Sequence, residues 1–497
     1  MLSDSILREL ELVMARAAEA FEVYRTLSVR HRSALLYAIA QEIDHLGDAL
    51  IQTAHRETNL DTARLRSERS RMLFQFRSYA DATVAGTWMD LSIHTAIADH
   101  NPPRPDLRKR MVPLGPVVVF GASNFPFAYA TAGGDTAAAL AAGCTVIVKA
   151  HPAHPLTAHM LAGAIEKAIE KCDLPAGVFA QMEGADFELG KKLVQHPTVR
   201  AVAFTGSFAG GKQLFDWAQQ RICPIPVFAE MGSVNPVYLM PRKLETAASE
   251  MALQFARSIT SGAGQFCTKP GLLIGLESDA LTQFTHDLGK AIRKVQTMPL
   301  LHEGIAESYA RLREEALMHE AVHLVAESDE AFAAPEGRAG IPTLATTDGA
   351  TFLSHPGLQE EIFGPFSLIV HCKSLEQVMS IAQKLEGQLT GTLLATEEDL
   401  KEAHFLISIL EHQCGRLILN GVPTGVEVCK SMQHGGPFPA STDSRFTAVG
   451  SDGIKRFARA VCYQNWSPSL LPDELKNENP LNMGRWVNDV WTRDAVK

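Results

Sequence analysis

Val117-Val-Val-Phe-Gly-Ala-Ser-Asn-Phe-Pro-Phe127 opens with four apolar, β-prone residues and then breaks into glycine, asparagine and proline. This pattern reads as a fully buried strand that ends in a turn. Residues 129–142 are alanine-rich and helical in character, and Gly143 stops them. Residues 144–148 read as a second strand and 155–171 as a second helix. The alternation continues with 178–182 and 187–195, then with 199–204 and 208–218, and closes on strand-like residues 225–229. Strands alternating with helices predict a parallel sheet covered on both faces, of the dinucleotide-binding type.

N-terminal to this core, residues 4–27 carry Ile6, Leu10, Val13, Ala17, Phe21 and Tyr24 on one helical face. Ser28 can cap a second helix carrying Leu35, Ile39, Ile43, Leu46 and Leu50, and a third covers 69–85. Residues 100–113 are proline-rich and basic. They are expected to form a linker or edge hairpin whose charges face solvent or another subunit. C-terminal to the core, residues 234–438 form a second α/β region, with strands expected at 237–240, 272–274, 367–371, 392–395 and 417–419. Residues 450–460 read as a short helix, followed by a polar tail with Pro468, Pro472 and Pro480.

The chain has 497 residues, enough for two or three domains with large cores. Its net charge of -10 argues against a nucleic-acid footprint. No apolar run reaches the ~18–20 residues that span a bilayer, and the N-terminus lacks a signal-peptide pattern. Eight cysteines are scattered without a CxxC pair, which fits a reducing, cytoplasmic setting rather than a disulfide framework.

Two further stretches carry chemistry. Pro226-Val-Phe-Ala-Glu-Met-Gly232 puts the carboxylate of Glu230 at a strand end. Ser261-Gly-Ala-Gly-Gln-Phe-Cys-Thr-Lys-Pro-Gly271 puts the thiol of Cys267 on a glycine-rich loop, where a reactant can approach closely. A neighbouring carboxylate can act as a base. Cys429, beside Lys430, is the rival nucleophile but lacks such a loop. Asn124 follows the first strand and offers an amide donor for an oxyanion, or else an Asx turn. Lys149 ends a strand and can bond ribose or phosphate, or simply face water. Gly206 to Lys212 matches GxxxxGK, but Gln213 stands where a P-loop needs Ser or Thr, so a triphosphatase is excluded. The glycine turn still suits a dinucleotide pyrophosphate. His151, His154 and His159 lack the spacing of a helical zinc site.

These motifs, in order, resemble the aldehyde dehydrogenase superfamily: Phe120-Gly-Ala-Ser-Asn-Phe-Pro-Phe127, Val148-Lys149, Phe204-Thr-Gly-Ser207, Glu230-Met-Gly-Ser, Gly264-Gln-Phe-Cys267 and Glu360-Glu-Ile-Phe-Gly-Pro365. The resemblance implies an α/β fold with a Rossmann-type cofactor domain (1–98 and 115–233) and an α/β catalytic domain (234–438). A small β oligomerisation arm and C-terminal segment would come from 99–114 and 439–497. It implies Cys267 as nucleophile, Asn124 as oxyanion donor and Glu230 as base. Lys149, Gly206, Ser207, Glu361 and Phe363 would bind the cofactor, with no metal. The partners implied are a small aldehyde and further copies of the chain, as homodimer or homotetramer. Pro152 stands where many NAD-selective members carry Glu, so NADP is expected, with NAD possible. Glu-Met-Gly-Ser replaces the commoner Glu-Leu-Gly-Gly, a change expected to affect packing more than chemistry.

Residues 132–143, 149–155, 420–429 and 434–440 resemble bacterial α-ketoglutarate semialdehyde (2,5-dioxovalerate) dehydrogenases. They are also similar to NADP-linked fatty-aldehyde dehydrogenases. Two further readings stay open. A CoA-acylating dehydrogenase would not need Glu230, and a catalytically silent cofactor-binding protein would not need Cys267, Glu230 and Asn124 together.

Overall fold

Residues 2–330 and 337–496 are described by a computed structural model. Helices Asp4–Tyr24, Val29–His45, Gly47–Thr58 and Thr62–Ala85 form the N-terminal layer. Ser3, Ser28 and Asp61 cap three of them by accepting N–H bonds from the first turn. The single second helix expected from periodicity is interrupted at Leu46, where Gly47 takes a φ of 56°. The last helix starts well before residue 69 and supplies Glu68, whose carboxylate accepts from the N–H groups of Phe127 and Ala128.

The parallel sheet is present in the order Phe179–Met182, Val146–Lys149, Val117–Phe120, Ala201–Thr205, Val227–Glu230. Every pairing within it is parallel. The chain winds outward from Val117–Phe120 in one direction and then resumes on its other side. The carboxyl ends of Val117–Phe120 and Ala201–Thr205 therefore flank the switch point, where such sheets open a crevice. Val117, Val118, Val119, Val146, Ile147 and Val148 are all buried. The alanine-rich helix is shorter than expected, Gly134–Ala142, and residues 129–133 are turns that approach the site.

The second sheet has seven strands in the order His323–Glu327, Thr343–Asp348, Phe366–Cys372, Leu272–Leu276, Val237–Leu239, Gln388–Leu394, Cys414–Leu419. Only its outermost pair is antiparallel. The first two strands carry too many polar residues to read as strands from sequence.

The third sheet corrects two expectations. Leu107–Pro113 is an inner strand between Ser92–His94 and Ala458–Gln464. Two of its three basic residues are enclosed: Arg108 is buried against Asp106 and the Leu475 carbonyl, and Arg110 pairs with Glu474 at 3.0 Å, whereas Lys109 stays partly exposed beside Asp90. Residues 450–460 are not one helix but a 3-10 stretch, Ser451–Phe457, running into the strand Ala458–Gln464. The tail is not loose either, because Arg485–Val487 and Val490–Thr492 complete this sheet while Leu471, Leu475 and Met483 are buried. Among the described residues, no helix is long and apolar enough to cross a membrane.

Candidate active site

Glu230 is the last residue of the edge strand Val227–Glu230. The chain returns more than two hundred residues later to pair with that edge. Met231 N–H donates to the Ala440 carbonyl at 2.8 Å, Thr442 N–H to the Ala229 carbonyl at 3.0 Å, and Glu230 and Ser441 form an antiparallel bridge. This pairing fixes the turn that carries His434. The His434 N–H donates to Thr447 Oγ1 at 3.0 Å, and its carbonyl accepts from Ala448 N–H at 2.8 Å.

Cys267 arrives from the other side. Helix Pro241–Thr260 ends, and the chain turns through Gly262, Ala263 and Gly264 at positive φ (55°, 55° and 67°). A Cβ on Gly264 would lie 2.3 Å from the Gly364 carbonyl carbon, so the loop packs backbone against backbone. Beyond the cysteine, Asn235 Nδ2 donates to the carbonyls of Cys267 (2.8 Å) and Lys269 (3.0 Å). The Ser233 hydroxyl and the Val234 and Asn235 N–H groups all donate to Gln388 Oε1, at 2.8, 2.9 and 3.3 Å. Ser233 thus serves as a strap that ties the glutamate motif to the second sheet.

These two segments bring three side chains together. His434 Nε2 lies 3.0 Å from Glu230 Oε2 and 3.7 Å from Cys267 Sγ. Glu230 and His434 are 4% and 2% exposed, so the cluster is dry enough for strong electrostatics. Burial pushes the Cys267 thiol well above its ordinary value, and the Glu230 carboxylate pushes it further. For Glu230, burial acts upward, but His434 and Cys267 outweigh it and hold the carboxyl below its usual range. The thiol is therefore kept protonated beside an imidazole and an ionised carboxylate, either of which can take its proton. The three ligand-capable atoms also lie within 4.8 Å of one another, a donor set that suits a soft divalent metal.

Asn124 sits on the same side as the thiol. Its Nδ2 donates to the carbonyl of Gln265, two residues before Cys267, at 3.1 Å, which leaves its second N–H unspent. Lys149 ends its strand half-buried, with its pKa lowered by burial and no ion pair among the described residues. Gly206 follows the strand Ala201–Thr205, and Ser207 caps the helix Phe208–Gln219 by accepting from Gly210 N–H at 3.2 Å. Glu361 and Phe363 lie on the loop before Phe366–Cys372. The Glu361 carboxylate presses on Gly232, where a Cβ would sit 2.5 Å from Oε2. Burial raises the Glu361 pKa, against the nearby buried ammonium of Lys269. Lys269 itself donates to the carbonyls of Ile362 and Phe366 at 3.1 and 2.8 Å.

Of the alternatives, Cys429 is exposed and Lys212 pairs with Asp216. His159 is exposed, whereas His151 stacks on His154 with ring centroids 5.7 Å apart and faces His302 at 5.9 Å. Sequence reasoning missed His434, Asn235 and Gln388. The signal for His434 was a histidine beside two glycines. Asn235 and Gln388 left none, because their roles depend on contacts between distant segments.

The fold and site define an NAD(P)-dependent aldehyde dehydrogenase: residues 4–459 match the aldehyde dehydrogenase family, and the chain belongs to it. It is 45% identical over 478 residues to alpha-ketoglutaric semialdehyde dehydrogenase 2 of Azospirillum brasilense, covering 96% of this chain and 90% of that protein. It is 43% identical over 494 residues to alpha-ketoglutaric semialdehyde dehydrogenase of Acinetobacter baylyi, covering 99% and 93%. Among solved structures, 1-pyrroline-5-carboxylate dehydrogenase from Thermus with bound NAD superposes with a TM-score of 0.77 at 21% identity, covering 92% of this chain and 85% of that one. Glyceraldehyde-3-phosphate dehydrogenase from Methanocaldococcus jannaschii, complexed with NADP, gives 0.76 at 20%, covering 92% and 94%.

Proposed function

We propose that the chain oxidises 2,5-dioxopentanoate to 2-oxoglutarate, with Cys267 as nucleophile. The observation that carries the reaction is the thiol–imidazole–carboxylate contact of Cys267, His434 and Glu230. The similarity to two α-ketoglutaric semialdehyde dehydrogenases across nearly the whole chain supports the substrate.

The Cys267 proton passes to His434, whose charge Glu230 offsets. The thiolate adds to the aldehyde carbon, and the Asn124 amide with the Cys267 N–H stabilises the oxyanion. The bound nicotinamide cofactor supplies the hydride acceptor. The thioester on Cys267 is hydrolysed by water whose proton goes to Glu230, a carboxylate kept ionised and so free to accept it at neutral pH.

The residues at the sheet's switch point fit a dinucleotide. The N-terminus of Phe208–Gln219, capped by Ser207 after Gly206, suits a pyrophosphate, and the unpaired Lys149 and the Glu361 carboxylate suit ribose hydroxyls. Phe363 would pack beside the nicotinamide ribose. Pro152 offers no carboxylate to repel a 2′-phosphate, so NADP is the preferred cofactor and NAD the weaker one. The chain would work as a homodimer or homotetramer. The exposed Trp486, Val490 and Trp491 of the third sheet support self-association there.

The test is reduced-cofactor formation from 2,5-dioxopentanoate with NADP and NAD in parallel, beside a long aliphatic aldehyde and a Cys267→Ala control. Turnover of the dioxo acid, lost in the control, is expected. Turnover of the long aldehyde alone would overturn the substrate, and an acyl-CoA product would overturn the hydrolytic step.

A further inference from the structure

Three arginines bind the segments that carry Asn124, Tyr129 and residues 423–426, and no carboxylate lies within ion-pair distance of any of them among the described residues. Arg64, Arg71 and Arg416 are each half-buried and donate only to neutral oxygens. Arg64 donates to the Asn124 carbonyl at 2.6 Å, with its guanidinium over the rings of Phe125 and Phe266 at 5.0 and 4.7 Å. Arg71 donates to the Val426 carbonyl and, at 3.2 Å, to the Tyr129 hydroxyl. Arg416 donates to the carbonyls of Pro423 and Gly425, the latter at 2.8 Å. Buried nitrogens of all three (Nε in each, and Nη1 of Arg64) have no partner. Glu68 shares a helix with Arg64 and Arg71 and acts electrostatically on both, but it makes no ion pair with either: its Oε1 accepts from the Phe127 and Ala128 N–H groups, and its buried Oε2 has no hydrogen-bond partner among the described residues.

A missing carboxylate alone means little, since Arg32 also binds only carbonyls and sits far from the thiol in a structural role. Position sets Arg71 and Arg416 apart. Arg71 donates to the carbonyl of Val426 and Arg416 to that of its chain neighbour Gly425, so both side chains converge on one short segment. The Tyr129 ring that Arg71 touches stands 6.4 Å from the His434 ring, and His434 is 3.7 Å from the Cys267 sulfur. The Tyr129 hydroxyl accepts from Arg71, and its own proton is free to donate. Arg71 is among the charges that favour the Cys267 thiolate, and a Cys267 thiolate would favour the charged form of Arg416. Glu68 offsets part of the charge of Arg71, but no carboxylate acts on Arg416; buried charge without a counter-charge is costly, and bidentate guanidinium groups suit carboxylates. The aldehyde and carboxylate carbons of the substrate are four bonds apart, on the order of 5 Å at about 1.5 Å per bond, which is the span such a cluster has to bridge.

We propose that Arg71 and Arg416, with the Tyr129 hydroxyl, bind the 2-oxo carboxylate end of the substrate and so select short aldehyde acids over neutral aldehydes. The inference rests on the aldehyde-acid substrate proposed above.

The test compares kcat/KM for 2,5-dioxopentanoate and for pentanal in the wild type, Arg71→Leu, Arg416→Leu and the two Arg→Lys variants. The acid-to-neutral ratio is expected to fall about tenfold to a hundredfold in each Leu variant, carried mostly by KM for the acid, with partial recovery in the Lys variants. Competitive inhibition by 2-oxoglutarate should weaken in step. An unchanged ratio, or equal loss on both aldehydes, overturns the inference. If the Leu variants do not fold, the wild type decides: the methyl ester of the acid must be a much poorer substrate than the acid, and equal turnover sinks the proposal. A wild type that oxidises pentanal or longer aldehydes but not the dioxo acid overturns the substrate instead.

Discussion

His434 Nε2 stands 3.0 Å from Glu230 Oε2, although 204 residues of chain separate the two and they arrive from opposite sides of a sheet edge. The same nitrogen lies 3.7 Å from the Cys267 sulfur. Because burial and Glu230 both raise the thiol's pKa, forming the thiolate needs a neighbouring base, the role proposed for this imidazole. Replacing His434 with Asn should slow iodoacetamide modification of Cys267 at neutral pH by tenfold or more and move its rise with pH to the alkaline side. A rate profile that overlays the wild type's would show the imidazole to be idle.

Gly264 lies at a φ of 67°, with Gly364 and Pro365 backbone atoms where its Cβ would go. Gly264→Ala should cost about 2–4 kcal/mol, combining overpacking with left-handed strain. The cysteine loop should lose its shape before the rest of the fold does. Chemical denaturation together with titration of the reactive thiol checks this; an active variant of wild-type stability would contradict it.

Gln388 accepts three donors through one buried oxygen. Gln388→Leu would strand them, at about 1–3 kcal/mol for each buried group left unpaired. Because Asn235 then loses its anchor on the Cys267 and Lys269 carbonyls, kcat should fall along with the melting temperature. Gln388→Glu, which keeps the acceptor, should lose much less of both.

Acid should weaken the fold through His151. Burial, with His154 and His302 adding to it, lowers its pKa from 6.5 to about 3, and burial lowers His154 and His302 as well. Between those two values the unfolded chain binds more protons than the folded one, so stability rises with pH and is lost on acidification below about 6.5. Melting temperature measured from pH 7.5 down to pH 5 should decline, and His151→Asn should flatten the slope. An equally steep slope in the variant would place the titrating groups elsewhere.

Zinc or cadmium ions should inhibit by bridging Cys267, His434 and Glu230. Removal of the metal with a chelator should restore activity, and prior occupation of the thiol by substrate should protect it.

Much of this was readable in the chain before its folding was known. The buried strand at Val117–Phe120 and the alternation after it depend on local apolar runs, and the turns after them on glycine, so the parallel sheet, the place of Glu230 at a strand end and that of Cys267 after a glycine turn followed from local pattern. What stayed hidden rests on distant partners. Arg108 looks like a solvated charge until Asp106 and Leu475 enclose it, and Leu107–Pro113 becomes an inner strand only when Ala458–Gln464 returns beside it. His434 could be quoted from sequence but not assigned, because the residues that hold it, Thr447 and Ala448, and the one it serves, Cys267, meet only through the pairing of residues 440–442 with the sheet edge.

That late pairing also orders events on the ribosome. Cys267 emerges 167 residues before His434. At about 5–20 residues per second, the nascent chain carries its nucleophile for on the order of ten seconds without the imidazole that deprotonates it. Until the chain that closes the sheet edge has been made, the thiol has neither the burial nor the neighbours that set its pKa in the folded protein.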